Sequence, residues 1–555
     1  MGSVAVKPNL HAVLRIFRHE KEARRLWIDA ICIDQANDEE KNIQVSLMRR
    51  IYEGSSGVLI WLGAAIKDSG AAISLVRKLN HAATIAGPTV PSINTFSSRD
   101  LTTYGLPSPL SRDYSSLLSL FEAEWFNRAW IVQEVAVAKK VTLFWGIYSA
   151  DWNDFISGME FALKAHLAFT ARPALNSLLP IMVEAEIYRA KKCTLLGVLL
   201  RHRRCQATIP KDKVYAFLGL TEKSAKLQGK VQVDYKQDLR TVYVDVARTI
   251  ATYDKSLDIL SLPALPFGSG IKALPSWVPD WSIPTEGNAK QLRQIYSSET
   301  NSLANKEEAE YRISKPFCAA KATLYNCPLL SSHQHTLLST RGHIVDTVAA
   351  VGDPFEGIYA PRNLLSIIRC IRSIFRIRRT LSTWEDVAEI HTREENDKYA
   401  SGENILDAFW QTLATGNLSE EDKEGERKKL LRDEFLQIHK ARKRLGPGLL
   451  WPFFIAFNQS FLSIFLKGRR AIHQPQSRYV LFRRMIRTEQ KRYIGLVSGN
   501  IRQGDEVWLL EGSKVPLIIR RQTEGYGRFI GDGYIHGIMY GEAFKIGDCE
   551  DLMLE

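Results

Sequence analysis

The sequence contains little cysteine and none of the common enzyme motifs. Its 555 residues include 7 cysteines, and no two of them form a Cys-x-x-Cys pair. This spread excludes a disulfide framework, lacks the spacing of a structural zinc site, and favours a reducing compartment. The signatures of P-loop ATPases, dinucleotide-binding folds, serine hydrolases, zinc peptidases and protein kinases are also absent. Most common enzyme classes therefore lose support.

The charge balance is only mildly basic. There are 74 Lys and Arg against 61 Asp and Glu, a formal net charge of +13. Such a balance permits an acidic partner but gives no reason to expect nucleic acid. Apolar residues make up 45% of the chain and charged residues 24%, as in ordinary globular proteins. The length allows about two to four domains.

The first residues do not have the pattern of a signal peptide, and no uninterrupted transmembrane run is expected. The most apolar stretch, Leu449–Leu466, contains Pro452 and Asn458 and is only just long enough to span a bilayer. We interpret it as a buried or amphipathic helix, with a span or re-entrant segment as the alternative. The sequence thus predicts a cytoplasmic protein, with peripheral membrane contact as a further option.

The first 63 residues have the pattern of an α/β fold. A helix is predicted over residues 9–24, and the apolar run Leu26–Ile33 then suits a strand buried on both faces. Asn37 or Asp38 caps a second helix, and a second strand is predicted over Val58–Leu62. The two strands should be parallel neighbours, because helices separate strands in this way in parallel sheets. Ligands in such sheets bind at the carboxyl ends of strands.

The rest of the chain changes character twice. A further strand is predicted at Val141–Trp145, residues 150–260 are mostly helical in pattern, and residues 261–284 form a Pro- and Trp-rich extended segment. After residue 478 short strands alternate with Gly-rich turns. These strands are predicted at Tyr493–Val497, Glu506–Leu510, Val515–Ile519 and Gly533–Ile538. The predicted domains are 1–148 (α/β), 149–475 (mostly helical) and 476–555 (small and β-rich).

Two polar groups stand out near the predicted sheet. Asp29 lies inside an apolar run and therefore needs a partner or a ligand, and Asp34 and Gln35 follow the same run. The alternative is a structural Asp29 bonded to loop amides.

The second group is Arg128, Trp130 and Glu134. Trp130 and Glu134 are four residues apart and share one face of a helix, and Arg128 lies near its N-terminus. Such a face can stack an aromatic ring and present a carboxylate to a sugar hydroxyl. The alternative is a core tryptophan beside a surface Arg–Glu pair.

A basic stripe is predicted on a helix over residues 362–379. Arg369, Arg372, Arg376 and Arg379 lie on one side, and isoleucines fill the other. This pattern is typical of helices that bind anionic membranes or protein partners. The alternative is a core-docked helix with solvated arginines. Grouped cysteines and histidines show no metal-ligand spacing, so no metal is expected.

Several of these segments together resemble one family. Leu26–Gln35 is similar to the central motif of the fungal heterokaryon-incompatibility (HET) domain, and Val58–Gly63 and Arg128–Glu134 resemble its following motifs. Further segments resemble the usual downstream regions. These are Asp212–Leu220, Pro275–Trp281 and Gly531–Ala543. The family's domain normally opens with a strand bearing Tyr-x-Ala-Leu-Ser-Tyr-x-Trp-Gly, whereas this sequence opens at the helix after it.

The resemblance implies a role in non-self recognition between fused fungal cells, ending in growth arrest or death. Signalling would occur through protein partners or self-association. HET domains are also similar to flavodoxin-like Toll/interleukin-1 receptor (TIR) domains, some of which cleave NAD with a glutamate in a Trp-x3-Glu helix. Glu134 matches that position, which makes NAD a candidate substrate and requires no resident cofactor. A membrane-associated effector and an inactive paralogue are the other options.

Overall fold

A computed structural model gives the fold of the chain. Its described residues are 6–19, 21–88, 98–108, 111–165, 167, 178–191, 193–221, 231–261, 274–283, 317–326, 335–356, 364–391, 398–413, 432–433, 482–523 and 525–555. The chain divides into two compact units. Unit 1 comprises Met1–Leu239 and Trp281–Pro284, and unit 2 comprises Arg240–Asp280 and Thr285–Glu555.

Unit 1 is a mixed α/β assembly. Its helices are α1 (Pro8–Phe17), α2 (Asp29–Cys32), α3 (Asp38–Gly54), α4 (Ser69–Ala86), α5 (Ser98–Thr103), α6 (Arg112–Leu120), α7 (Ile131–Ala136), α8 (Trp152–Lys164), α9 (Leu178–Arg189), α10 (Leu195–Arg201) and α11 (Asp212–Leu218). Its strands are β1 (Val58–Trp61), β2 (Val141–Trp145) and β3 (Tyr148–Asp151). A single 3-10 turn, Glu124–Asn127, precedes α7. The predicted mixed α/β start and the helical stretch after it are confirmed.

The three strands of unit 1 form one sheet in the order β1-β2-β3. β1 runs parallel to β2, with Val58 opposite Val141, and β2 and β3 form an antiparallel hairpin. Gly146 turns this hairpin with φ of 59°. A Cβ atom there would lie 2.4 Å from the Cβ of Ala65, so the turn requires glycine. The strands predicted at Val58–Leu62 and Val141–Trp145 are therefore confirmed as β1 and β2.

The strand predicted at Leu26–Ile33 is wrong, and so is its pairing with β1. Part of this run forms the single turn α2, closed by a hydrogen bond of 2.8 Å from the Cys32 N–H to the Ile28 carbonyl. Ile31 is 39% exposed, and Ile33 alone in the run is buried. A short apolar run does not distinguish a strand from a helical turn. In the described part of the chain, the strand that pairs with β1 is β2.

Helix α3 begins where the sequence predicts. The Asn37 carboxamide oxygen accepts hydrogen bonds from the N–H groups of Glu39 and Glu40 at 3.0 and 3.2 Å. These bonds satisfy donors that the first turn of a helix leaves free. The acidic side chains of that turn also favour the positive end of the helix dipole.

Helices pack closely around the sheet of unit 1. The Phe17 ring of α1 meets the Phe144 ring of β2 edge-on, with centroids 4.9 Å apart. Helix α8 approaches α4 at Gly158, where a Cβ would lie 2.9 Å from the Cβ of Leu79. The closeness of this approach explains why a glycine stands in the middle of a helix.

Unit 2 combines a few helices with seven strands. Its helices are α12 (Leu239–Asp254), α13 (Leu364–Val387) and α14 (Ile405–Leu413). Its strands are β4 (Leu338–Val351), β5 (Arg484–Thr488), β6 (Ile494–Val497), β7 (Glu506–Leu510), β8 (Leu517–Arg521), β9 (Gly527–Ile535) and β10 (Glu550–Leu554). The predicted β-rich C-terminal module is confirmed, and each of its four predicted strands has a counterpart within a few residues.

The strands of unit 2 close into a barrel. Their order is β10-β4-β5-β6-β9-β8-β7, and β4 pairs again with β7. The six strands from β4 to β9 therefore form a ring, and β10 pairs with β4 along its length. A barrel closed in this way leaves few exposed strand edges. An apolar cluster joins the strands of the ring, through Val348, Ile486, Val497, Val507, Ile518, Ile530 and Ile535.

Strand β4 lies in the region for which the sequence predicts mostly helix. It contacts β5 and β7, which follow it by more than a hundred residues in the sequence. A bulge at Val345, next to Asp346, interrupts its register with β7. The Asp346 carboxylate there accepts hydrogen bonds from the N–H groups of Gln490 and Lys491, at 3.1 and 2.7 Å. The long strand thus depends on partners that no local pattern shows.

Helix α13 confirms the helix predicted for the basic stripe. Its C-terminal half packs into an apolar cluster through Ile377, Leu381 and Trp384. The indole N–H of Trp384 donates to the Asp353 carbonyl at 2.7 Å. This half of the helix is therefore docked on unit 2.

The stripe itself is exposed but partly neutralised. Arg372 and Arg376 are both exposed. Arg376 forms an ion pair with Glu356, and Arg379 forms one with Asp353 at 3.4 Å. The side chain of Arg369 lies outside the described residues. Contact with an anionic membrane through Arg369, Arg372 and Arg376 stays a prediction.

Among the described residues, no helix has the length and apolar character needed to cross a membrane. The apolar stretch Leu449–Leu466 lies outside those residues.

The burial of β1 and the exposure of α2 lead to a paired prediction. Ile60 is 1% exposed, so Ile60→Ala should lower the free energy of opening of the sheet by about 2–5 kcal/mol. Ile31→Ala should lower it by less than about 1 kcal/mol, because Ile31 is 39% exposed. Hydrogen exchange of the β2 amides measures both effects. Equal losses for the two variants would contradict the placement of α2.

Candidate functional site

Helix α7 presents Glu134 to a ring of polar and aromatic groups. Most of this short helix is buried, whereas Glu134 is partly exposed. The carboxylate of Glu134 accepts hydrogen bonds from the indole N–H of Trp125 and the hydroxyl of Tyr52. Trp125 belongs to the 3-10 turn before α7, and Tyr52 to the last turn of α3. Three elements therefore converge on one carboxylate.

The surroundings raise the pKa of Glu134 from 4.5 to about 7. Loss of solvation raises this pKa most, and the nearby Asp29 carboxylate raises it further. The Arg128 guanidinium and the hydrogen bonds from Trp125 and Tyr52 oppose the rise. Glu134 therefore holds its proton to a higher pH than an ordinary surface glutamate does.

Further aromatic rings pack against the two aromatic partners of this carboxylate. Trp27 meets Tyr52 edge-on, with ring centroids 5.6 Å apart. Trp125 meets Phe126 and Trp152 in the same way, at 5.1 and 6.0 Å. Trp125, Phe126 and Trp152 are buried, and their packing lowers the local polarity beside the carboxylate. Burial also raises the pKa of the Tyr52 hydroxyl, which keeps Tyr52 a hydrogen-bond donor.

The structure brings together three of the six residues that the sequence singles out. Asp29 and Arg128 both act electrostatically on Glu134. Asp29 lies on the exposed turn α2 rather than in a buried strand, and its carboxylate accepts the Ala30 N–H at 2.8 Å. Arg128 is exposed, and only Ala129 and Trp130 separate it from the start of α7. We refer to Asp29, Tyr52, Trp125, Arg128 and Glu134 as the Glu134 site.

The other three predicted residues have polar partners other than Glu134. Asp34 accepts the Ala36 N–H at 3.0 Å, and Gln35 donates to the Asp29 carbonyl at 3.1 Å. These contacts shape the turn before α3. Trp130 is hydrogen-bonded to Asp212 of α11. The shared helix face predicted for Trp130 and Glu134 therefore does not give them shared polar partners.

Sequence reasoning missed Tyr52 and Trp125 as site residues. In the sequence, Tyr52 stands beside Ile51 in a segment of amphipathic helical pattern, and Trp125 lies just before the motif that contains Glu134. Each is an aromatic residue with a polar atom, and such residues find a hydrogen-bond partner when buried. That property was the available signal, but it does not identify the partner.

The Glu134 site combines carboxyl groups, a guanidinium and aromatic side chains. One carboxyl group changes its protonation near neutral pH, and a second carboxylate and a guanidinium lie beside it. Carboxylates held at different pKa values are the groups that cleave glycosidic bonds. Within the described residues, no cluster of three or more His, Cys, Asp or Glu side chains could hold a metal ion.

The raised pKa of Glu134 predicts a pH-dependent cost to stability. The folded state binds this proton more tightly than the unfolded state, so wild-type stability falls as pH rises from 4.5 to 7. Glu134→Gln removes this loss. The variant should therefore gain up to about 3 kcal/mol over the wild type at pH 8, and far less at pH 4.5.

Hydrogen exchange of the β2 amides at both pH values measures this gain. Glu122→Gln, which changes an exposed carboxylate nearby, serves as the control and should show no such gain. A Glu134→Gln variant that is equally destabilised at both pH values would mean that the charged carboxylate stabilises the fold.

Comparisons with known proteins identify both ends of the chain. Residues 2–134 match the family model described as "Heterokaryon incompatibility protein (HET)", and residues 478–554 match the "Het-6 beta-barrel domain". The chain is 24% identical to "Heterokaryon incompatibility protein 6, OR allele" of Neurospora crassa over 613 aligned residues. That alignment covers 97% of this chain and 84% of the relative. No solved structure matches significantly, so the likeness to flavodoxin-like TIR domains stays a prediction.

Proposed function

Because the chain carries a HET domain and a Het-6 barrel, we propose that it is a heterokaryon-incompatibility protein that signals growth arrest or cell death after fusion of unlike fungal cells. One observation carries this proposal. The relative named for heterokaryon incompatibility aligns along 97% of this chain, which includes both the HET match and the barrel match. We further propose that signalling proceeds through assembly with protein partners or with other copies of the chain.

Cell death in fused cells tests the proposed role. The chain is expressed in Neurospora crassa that lacks its own relative, and this strain is fused with a panel of wild isolates. Fused cells should take up a vital dye with some isolates and not with others. A variant with a disrupted sheet, Leu143→Asp, should abolish the death, because Leu143 is fully buried.

Two outcomes would contradict this proposal. Survival of the fused cells with every isolate would contradict the proposed incompatibility role. Death that persists in Leu143→Asp at equal protein level would show that the folded HET domain is not the cause. Light scattering of the purified chain tests assembly separately, and a monomer at every concentration would exclude self-association.

The Glu134 site favours a second candidate function, the cleavage of NAD. Water would replace nicotinamide at the ribose carbon, and the nicotinamide nitrogen would take the electrons of the broken bond. The transition state has a cationic ribose, which the Glu134 carboxylate would stabilise. The observation that favours this candidate is a partly exposed carboxylate held among aromatic rings with a pKa of about 7.

Release of nicotinamide by the purified chain tests this chemistry. The rate should rise with pH up to about 7 and then level off, because the charged form of Glu134 is required. Glu134→Gln should slow release by about 100-fold or more, whereas Glu122→Gln should not. A wild-type chain that releases no nicotinamide, yet kills fused cells, would reject NAD cleavage and leave the incompatibility role standing.

A further inference from the structure

Unit 1 contains a second buried polar cluster, outside the Glu134 site. We call Glu184, Cys193, Arg201, His202 and Cys205 the Glu184 cluster. Both carboxylate oxygens of Glu184 bond to Arg201, each at 2.8 Å. One of them also lies 2.8 Å from the His202 ring nitrogen, and the other accepts the Cys193 thiol at 3.3 Å. Cys205 lies 4.0 Å from the second His202 nitrogen.

The side chains of this cluster are largely buried and hydrogen-bonded to one another, unlike those of an exposed surface ion pair. Glu184 is 1% exposed and His202 is 2% exposed. Burial alone would raise the pKa of Glu184, but Arg201 and His202 lower it below its ordinary value. Breaking a buried ion pair is costly because it leaves an uncompensated charge. The cluster therefore fixes the geometry of the residues that carry it.

The residue that follows the cluster in sequence, Gln206, pairs with the backbone around Arg128 of the Glu134 site. Gln206 follows Cys205 directly, and its N–H donates to the Asn127 carbonyl. The Gln206 carbonyl in turn accepts the Ala129 N–H at 2.9 Å. These two bonds bracket Arg128 and form a short parallel bridge between Arg128 and Gln206.

A second connection runs through the helices. Glu184 lies on α9, which packs against α7, the helix that carries Glu134. The cluster therefore reaches both charged partners, Arg128 through the bridge and Glu134 through the helix. Neither connection involves the side chains of the Glu134 site.

We propose that the Glu184 cluster is a positioning device that holds the Arg128 guanidinium beside the Glu134 carboxylate. Glu184, Arg201 and His202 are thus positioning residues for the site, although they do not touch it. The inference rests on the proposed Glu134 site but not on NAD cleavage or on cell death. Arg128 opposes the rise in the pKa of Glu134, so the protonation of Glu134 reports where Arg128 lies.

The sign of the change separates positioning from direct electrostatics. Glu184→Gln removes a negative charge, and this change alone would lower the pKa of Glu134. Displacement of Arg128 would instead raise it. The proposal requires that the displacement of Arg128 outweigh the lost charge of Glu184. The titration midpoint of Glu134 should therefore rise by about 1 pH unit in Glu184→Gln.

Carbon-13 NMR of labelled glutamate carboxyl groups in the full chain measures this titration. The Glu134 signal is assigned by its loss in Glu134→Gln, and Arg128→Ala gives the rise expected when the guanidinium is removed. Leu79→Ala is the control, since it creates a cavity at a fully buried position of α4 and should leave the Glu134 midpoint unchanged. In Glu184→Gln the Ala129 amide should also exchange at least 10-fold faster.

Several results would overturn the proposal. A folded Glu184→Gln chain with an unchanged or lower Glu134 midpoint would exclude positioning. An unchanged midpoint in Arg128→Ala would show that Arg128 does not act on Glu134. If Glu184→Gln does not fold, Cys193→Ala removes a single bond to Glu184 and should raise the midpoint in the same direction by a smaller amount; no rise there would also exclude positioning.

Discussion

The tertiary packing of helix α7 is the constraint on which unit 1 depends. Six residues are too few for a helix that is stable alone in water. α7 exists because α3, α9 and α11 pack against it and bury all of its side chains except that of Glu134. The same packing determines which groups surround Glu134. The helix and the site therefore form together or not at all.

The Glu134 site illustrates how a fold can hold a charge at a cost. The hydrogen bonds from Tyr52 and Trp125 and the charge of Arg128 stabilise the carboxylate, but they do not offset the lost solvation. The partners of Glu184, in contrast, more than compensate for its burial. This contrast between two glutamates on packed helices is the physical reason to expect a ligand at Glu134 and to give Glu184 a positioning role only.

Unit 2 shows a different dependence, on pairing between distant parts of the chain. The family match covers residues 478–554, yet the ring closes only with β4, at Leu338–Val351. Without β4, strands β5 and β7 would each have an open edge. The structural barrel is therefore larger than the segment in which its sequence pattern is visible. The intervening α13 and α14 pack onto the barrel through one apolar cluster.

The sequence by itself determined the local elements and the resemblance to HET proteins. Asn37 and the acidic residues after it specified the start of α3. The apolar runs at Val58 and Val141 specified β1 and β2. Both kinds of signal act within a few residues of sequence. Asp29 could be named because it is polar within an apolar run, and Arg128 and Glu134 because of their spacing from Trp130 in a segment that resembles a HET motif. Only the tertiary structure decided that residues 29–32 form a turn, since that choice depends on which strand pairs with β1. Likewise, only long-range packing placed Tyr52 and Trp125 on Glu134, β4 in the barrel and the Glu184 cluster behind Arg128, because contacts between residues far apart in sequence leave no periodic signal in it.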